Sequence, residues 1–444
     1  MYCRQFVFTF VLSAFCGLLL NGQALDDSRE TSVQTDPEII RDFMSKRFGL
    51  FIHWGPVSLR GTEIGWSRDR EVSKQEYDNL YKEFNPEMFD ADAWVKVAKD
   101  AGMKYLTITA RHHDGFSLWP SEFTDYDIAA TPYKTDIVGA LAKACKKQGI
   151  KFCIYYSVLD WYHPDYPIHS AHDQTVDPKA DMGRYIAFMK NQLKELITRY
   201  DPYMLWFDGA WESPWTNEMG RDMYAYLKEL NPDVIVNNRL GKSMAGTANK
   251  KIEKANMVGD YDTPEQVVGR LNMDMPWESC FTICNQWAWR PDDKMKSLDQ
   301  CLDIISKTAG GNGNLLLNVG PMPDGRIEEK QVIRLKEIGQ WMDENGEAIY
   351  NTLGGPYEAT DNYATTRRGR KIYLHVLNTD TPSIELKKIP GRKIRSASLL
   401  HGKRVSFIEK GEYLQVQLPQ EQSGLNYIIE LKLDDDAENI PVIR

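Results

Sequence analysis

Leu205-Trp206-Phe207-Asp208-Gly209-Ala210-Trp211, preceded by Pro202-Tyr203-Met204, is an apolar run that stops abruptly in a carboxylate, a glycine and a tryptophan. A short apolar run bounded by turn residues reads as a buried strand. A carboxylate at the tip of such a strand is costly to desolvate and adds nothing to a core. A barrel of alternating strands and helices gives it a purpose, because every strand delivers its last residue to one face. The competing local reading is an aspartate that caps the next helix. Aromatics beside a carboxylate also suit a carbohydrate, whose C–H faces stack on rings while its hydroxyls take hydrogen bonds.

On both sides of this strand, short apolar runs alternate with amphipathic segments from about residue 35 onward. Strands are expected at 50–54, 105–110, 152–157, 204–208, 234–238, 257–260, 280–283 and 315–319, with helical spacing over 91–101 and 137–148. Eight strands with helices between them predict a (β/α)8-type barrel over residues 35–350. A doubly wound sheet is the alternative, but no glycine-rich phosphate loop follows the first strand. The texture changes between Gly346 and Pro356. Beyond it, alternating runs at 371–377, 396–400, 413–418 and 427–431 predict a C-terminal antiparallel β-sandwich over 355–444.

With 444 residues, 42% hydrophobic and 26% charged, the chain has the composition of a globular protein with room for a large domain and a smaller one. A net charge of −9 excludes a nucleic-acid partner, which requires a basic face. Arg4, the apolar run from Phe6 to Leu20 and the small residues around Ala24 predict a signal peptide over 1–24. The mature chain is then exported (periplasmic, extracellular or lysosome-like) with no membrane insertion after cleavage. Cys145, Cys153, Cys280, Cys284 and Cys301 remain, an odd number without zinc-like spacing, and read as buried thiols.

Polar and aromatic residues gather at the expected strand ends: His53 and Trp54, then Arg111-His112-His113-Asp114, then Tyr155-Tyr156-Ser157. Later strands add Trp206 and Asp208, Asn237-Asn238-Arg239, and Glu265 or Glu278. One histidine on a strand is usually a satisfied core residue; several strands ending this way point to a barrel's active face. His112-His113 invites a metal, but neighbours on a strand point to opposite sides, and no later strand end carries another histidine. Neutral imidazoles bonded to sugar hydroxyls account for the same residues, so no metal and no cofactor is expected. Cleaving a glycosidic bond takes two carboxyl groups. Asp208 is the natural first; Glu265, in a proline-containing loop, and Glu278, opening an apolar strand, compete for the second.

Together these segments resemble the α-L-fucosidases of glycoside hydrolase family 29. The motifs are FGLFIHWG (48–55), ARHHDGFSLW (110–119), IYYS (154–157), LWFDG (205–209), MPWESC (275–280) and GNGNLLLNVGPMPDG (311–325). The resemblance implies a barrel followed by a β-sandwich, and retaining hydrolysis of terminal α-L-fucose from a fucosylated glycan or oligosaccharide. It makes Asp208 the nucleophile and Glu265 the acid/base, with Glu278 a positioning carboxylate. His53, His112, His113, Tyr156, Trp206 and Arg239 match positions that hold the fucose ring, and Glu63 with Trp66 corresponds to a Glu-Trp pair lining the same pocket. The sugar's methyl group is expected against Trp54, or against Trp287 and Trp289. The 311–325 segment reads as structural. The rival readings are a catalytically silent fucose-binding barrel, a metal-dependent barrel hydrolase, and a glycosidase for a neighbouring sugar.

Overall fold

The computed structural model describes residues 35–242, 257–419 and 426–444; the expected signal peptide lies outside them. Seven strands form one curled sheet: β1 (Phe48–Ile52), β2 (Tyr105–Arg111), β3 (Lys151–Ser157), β4 (Met204–Asp208), β5 (Ile235–Val236), β6 (Glu278–Thr282) and β7 (Asn314–Val319). Their order is β5-β4-β3-β2-β1-β7-β6, and every pair is parallel. Residues 258–265 span the gap between β5 and β6. They make isolated parallel bridges to Asn237 and Arg239 on one side and to Trp277 and Cys280 on the other. The strand expected at 257–260 is therefore irregular backbone. Gly259 crosses so close to β5 that a Cβ there would stand 2.2 Å from the Asn237 carbonyl oxygen, and Pro264 has no N–H to give a ladder.

Side chains alternate across the sheet as the pleat requires. Phe51, Tyr105, Cys153, Tyr155, Met204, Trp206, Ile235, Cys280 and Leu316 form a cluster inside the barrel. Leu50, Ile52, Leu106, Ile108, Ile154, Tyr156, Leu205, Phe207 and Leu317 face outward into the helix layer. Both faces are covered, so apolar residues occupy both sides of the strands and the buried polar ones, such as Thr107, Thr109, Glu278 and Asn318, break no regular alternation.

The helices are α1 (Pro37–Lys46), the short α2 (Lys74–Tyr77), α3 (Ala91–Asp100), α4 (Ile137–Gln148), α5 (Met182–Tyr200), α6 (Asn217–Leu230), α7 (Leu298–Gly310) and α8 (Glu329–Asn345). A short polar residue ends the loop and starts the helix at Asp90, Asp136, Asp181, Thr216 and Ser297, each accepting a first-turn N–H. From α1, Phe43 fills the lower end of the barrel, its ring 5.6 Å from that of Tyr105 and 4.9 Å from that of Tyr261.

The C-terminal region continues with β8 (Leu353–Gly354), β9 (Tyr363–Arg368), β10 (Lys371–Val376), β11 (Ser383–Lys387), β12 (Ile394–Leu399), β13 (Phe407–Lys410), β14 (Tyr413–Gln417) and β15 (Ile428–Leu433). They make a five-stranded sheet, β12-β15-β10-β9-β8, and a three-stranded sheet, β11-β14-β13, both antiparallel. Ile372, Leu374, Ile384, Leu386, Leu414, Val416, Ile429 and Leu431 fill the space between them. The larger sheet turns Tyr373 and Ile428 toward the barrel's own core. Trp341 of α8 donates from Nε1 to the Asn426 carbonyl at 3.1 Å. No helix among the described residues is long and apolar enough to cross a membrane.

Candidate active site

A cavity of about 230 Å³ opens at the carboxyl ends of the strands. Phe51, Tyr155, Trp206 and Cys280, from the interior cluster, make its floor. Two carboxylates meet above it on one guanidinium. Arg239 Nη1 donates to Asp208 Oδ1 and to Glu265 Oε2, each at 2.9 Å. The two oxygens can therefore be no further apart than twice that distance. Thr263 fixes the guanidinium, accepting Nε on its hydroxyl at 2.9 Å and Nη2 on its carbonyl at 3.0 Å. The Arg239 cation also lies 4.6 Å over the Trp206 ring. Burial opposes the charge on Arg239, but Asp208 and Glu265 outweigh it and raise its pKa well above the usual value.

The two carboxylates differ in access. The Asp208 side chain is 13% exposed and that of Glu265 35%. Asp208 Oδ2 also faces the Tyr155 hydroxyl at 3.4 Å and His113 Nε2 at 3.6 Å. Glu265 lies on the 258–265 segment, nearer the mouth.

Three imidazoles line one side: His53, His112 and His113. Burial pulls His53 and His113 down to about 3, and His112 well below its usual value, so all three are neutral at physiological pH. His113 Nδ1 meets the Ser157 hydroxyl at 2.7 Å. His53 Nδ1 meets Asn318 Oδ1 at 2.6 Å, and Asn318 donates from Nδ2 to the Trp287 carbonyl at 2.7 Å. The 311–325 segment thus does more than shape turns: its Asn318 orients one pocket histidine and one pocket tryptophan. Trp66, Trp211 and Trp287 complete the wall. Among the described residues no three His, Cys, Asp or Glu side chains gather as a metal-ligand set, and all five cysteines there are buried and unpaired.

The pocket holds Asp208, Glu265, His53, Trp66, His112, His113, Trp206 and Arg239 from the sequence expectations. Tyr156 is a correction. It points outward, donates to Gln192 Oε1 at 2.9 Å and packs under Arg111 at 4.2 Å; Tyr155 takes the pocket position. The parallel register pairs Tyr155 with Trp206 and Ser157 with Asp208, so the interior set on β3 follows from that on β4. A bulge in β2 at Ala110, between paired Thr109 and Arg111, turns Arg111 outward as well.

Glu278 is the second correction: it does not line the pocket. It sits lower in the barrel, accepting from Tyr105 at 2.5 Å, Trp206 Nε1 at 3.1 Å and Tyr261 at 3.4 Å, and burial pushes its carboxyl up to about 7. Its reach to the site is through the Trp206 indole. Glu63 is the third, its carboxylate accepting the backbone N–H groups of Trp287 at 2.8 Å and Ala288 at 2.9 Å. It shapes the pocket by holding the Trp287 turn. Trp54 packs among Phe84, Phe89 and Trp94 outside the barrel, leaving Trp287 as the aromatic against which a methyl group could rest. Trp211, which ends the 205–211 stretch but was not among the expected site residues, also lines the pocket.

Comparison with known proteins points to one family. A family model described as Alpha-L-fucosidase matches residues 23–347. The tissue α-L-fucosidase of Bos taurus is 31% identical over 366 residues, covering 76% of this chain and 74% of the relative. That of Homo sapiens is 29% identical over 378 residues, covering 77% and 78%. Among solved structures, a bacterial fucosidase with a monovalent iminocyclitol inhibitor superposes with a TM-score of 0.81 at 32% identity, covering 90% of this chain and 97% of the other. A family 29 α-L-fucosidase from Bacteroides thetaiotaomicron, trapped as a covalent intermediate with 2-fluoro-fucosyl fluoride in a glutamate-to-glutamine mutant, gives 0.80 at 31% identity and the same coverage.

Proposed function

The chain belongs to the α-L-fucosidase family of glycoside hydrolases, and on that premise we propose that it is a retaining exo-α-L-fucosidase acting on fucosylated glycans, with Asp208 as nucleophile and Glu265 as acid/base. One observation carries the residue roles: both carboxylates bond the same Arg239 Nη1 at 2.9 Å. A shared donor keeps those two oxygens within twice 2.9 Å of each other, which supports the roughly 5–5.5 Å carboxyl separation of double displacement over the roughly 6.5–9.5 Å of direct attack by water. The difference in exposure supports the division of roles. The deeper Asp208 faces the sugar, and the more open Glu265 faces the side where the leaving group departs and water arrives.

In the first step an Asp208 oxygen bonds to C1 of the fucosyl unit. The C1–O bond to the aglycone breaks, its electron pair stays on that oxygen, and the oxygen takes the Glu265 proton. In the second step Glu265 takes a proton from water, whose oxygen bonds C1 as the Asp208 ester bond breaks. Arg239 keeps its hydrogen bond to Asp208 while Glu265 changes protonation. The neutral histidines give and accept hydrogen bonds with sugar hydroxyls without adding charge. Residues 35–350 form the catalytic unit and 355–444 the sandwich, and a cleaved leader over 1–24 directs export.

Asp208→Gly tests the assignment. It should fold, lose turnover, and regain it with azide as β-fucosyl azide. Wild-type rates in this variant, or β-L-fucose as the first product of the parent protein by NMR, would refute the reading.

A further inference from the structure

Glu212 is a buried carboxylate that the reaction does not use. It follows Trp211 in the loop after β4 and is 3% exposed. Its two oxygens take three donors, all from the long connection between β3 and α5. Trp161 Nε1 at 3.0 Å and Gln174 Nε2 at 3.3 Å converge on Oε1, and the Tyr166 hydroxyl reaches Oε2 at 2.6 Å. A third loop joins through the backbone, because Lys242 Nζ bonds the carbonyl oxygens of both Trp211 and Glu212. Trp161 in turn supports the pocket wall. Its ring is 5.3 Å from that of Trp66, edge-on, and 5.2 Å from that of His113. Trp211 lies parallel to Trp66 at 6.0 Å and edge-on to His113 at 5.2 Å.

We propose that Glu212 is a positioning residue: it staples the loop after β3 to the loop after β4 and thereby holds the Trp66–Trp211 wall against which the sugar binds. The inference rests on the fucosidase reading of the pocket. The choice of residue has a chemical reason. Three donors converge on two oxygens, and an amide could accept at only one of those atoms. A glutamine can keep the Trp161 and Gln174 bonds on its oxygen only by turning its NH2 group to Tyr166, whose hydroxyl then has to accept where it donated to Glu212. The staple touches the wall and leaves the Asp208–Arg239–Glu265 contacts alone, so its loss weakens sugar binding without slowing the chemistry of bound substrate.

The test compares Glu212→Gln and Tyr166→Phe with the parent protein, measuring KM and kcat separately on an aryl α-L-fucoside and the Kd of L-fucose by tryptophan fluorescence. Thermal melting confirms that each variant is folded at the assay temperature. KM and Kd should rise about threefold in each variant, since both lose the Tyr166 bond to the carboxylate, with kcat within about twofold of the parent. Parental KM and Kd in the folded variants would overturn the proposal, as would a fall in kcat at unchanged KM. Should Glu212→Gln fail to fold, Tyr166→Phe decides alone, because it loses one hydroxyl and keeps the Trp161 bond. A parent protein that neither cleaves the fucoside nor binds L-fucose would sink the functional reading instead of the staple.

Discussion

Two carboxylates project into the same barrel at different heights, and their surroundings make different groups of them. Glu278, in the lower half, is fully buried, bonded only by Tyr and Trp donors at up to 3.4 Å, and has its carboxyl raised to about 7. Asp208, at the upper rim, has a guanidinium at 2.9 Å and an opening to solvent. At Glu278 burial outweighs these donors and the more distant charge of Arg239 and favours the protonated form, which can sit in a scaffold as a neutral hydrogen-bonding group. A cation and an open cavity suit a carboxylate that must attack. Strand position alone therefore does not make a residue reactive; the partners the neighbouring strands supply decide it.

The largest expected effect would break this contrast if it failed. Asp208→Asn should cost at least about 10³-fold in kcat with the melting temperature unchanged, whereas Glu278→Gln should stay within about tenfold of the parent. Equal losses would mean that the lower carboxylate takes part in the chemistry. A finer version compares adjacent tyrosines. Tyr155→Phe removes the hydroxyl facing Asp208 and should lower kcat/KM about tenfold, while Tyr156→Phe should spare activity and cost about 1 kcal/mol in denaturant unfolding. Reversal of that pattern would place the wrong face of β3 in the pocket. The smallest effect concerns pH. The folded pKa of Glu278, about 7, lies above the ordinary 4.5, so its contribution to stability is complete below 4.5 and is lost as pH rises through 7. Glu278→Gln should leave the melting temperature alone at pH 4.5 and raise it by about 2 °C at pH 8. An identical shift at both values would show that the carboxyl does not titrate in this window.

The parts legible in the sequence were those where one residue broke a local rule. Asp208 ends an otherwise apolar strand, and the His112-His113 pair and Arg239 also sit where a core has no use for them. Tyr155 and Tyr156 were not separable, because β3 is buried on both faces from Phe152 to Ser157 and carries no polar alternation to fix its parity. The Ala110 bulge is likewise silent, since nothing in Thr109-Ala110-Arg111 marks an extra residue. Glu63 was expected in the pocket lining and not as a brace, because that role is fixed by backbone N–H groups of Trp287 and Ala288, more than 220 residues away. In the C-terminal region β10, β12, β14 and β15 were expected and β8, β9, β11 and β13 were not, although β11 buries alternate residues; β13 exposes Ile408, Glu409 and Lys410. The eighth barrel position was expected as a strand and is a bridged loop, and that irregularity carries Glu265 to the mouth.

Phe43 corks the barrel from below. Among the described residues the cavity has one doorway, so under the proposed reaction a chain is not threaded through and is trimmed at its tip. If the pocket acts as proposed, the freed monosaccharide and the next chain end contend for one passage, and a surplus of the sugar competes with substrate for the site.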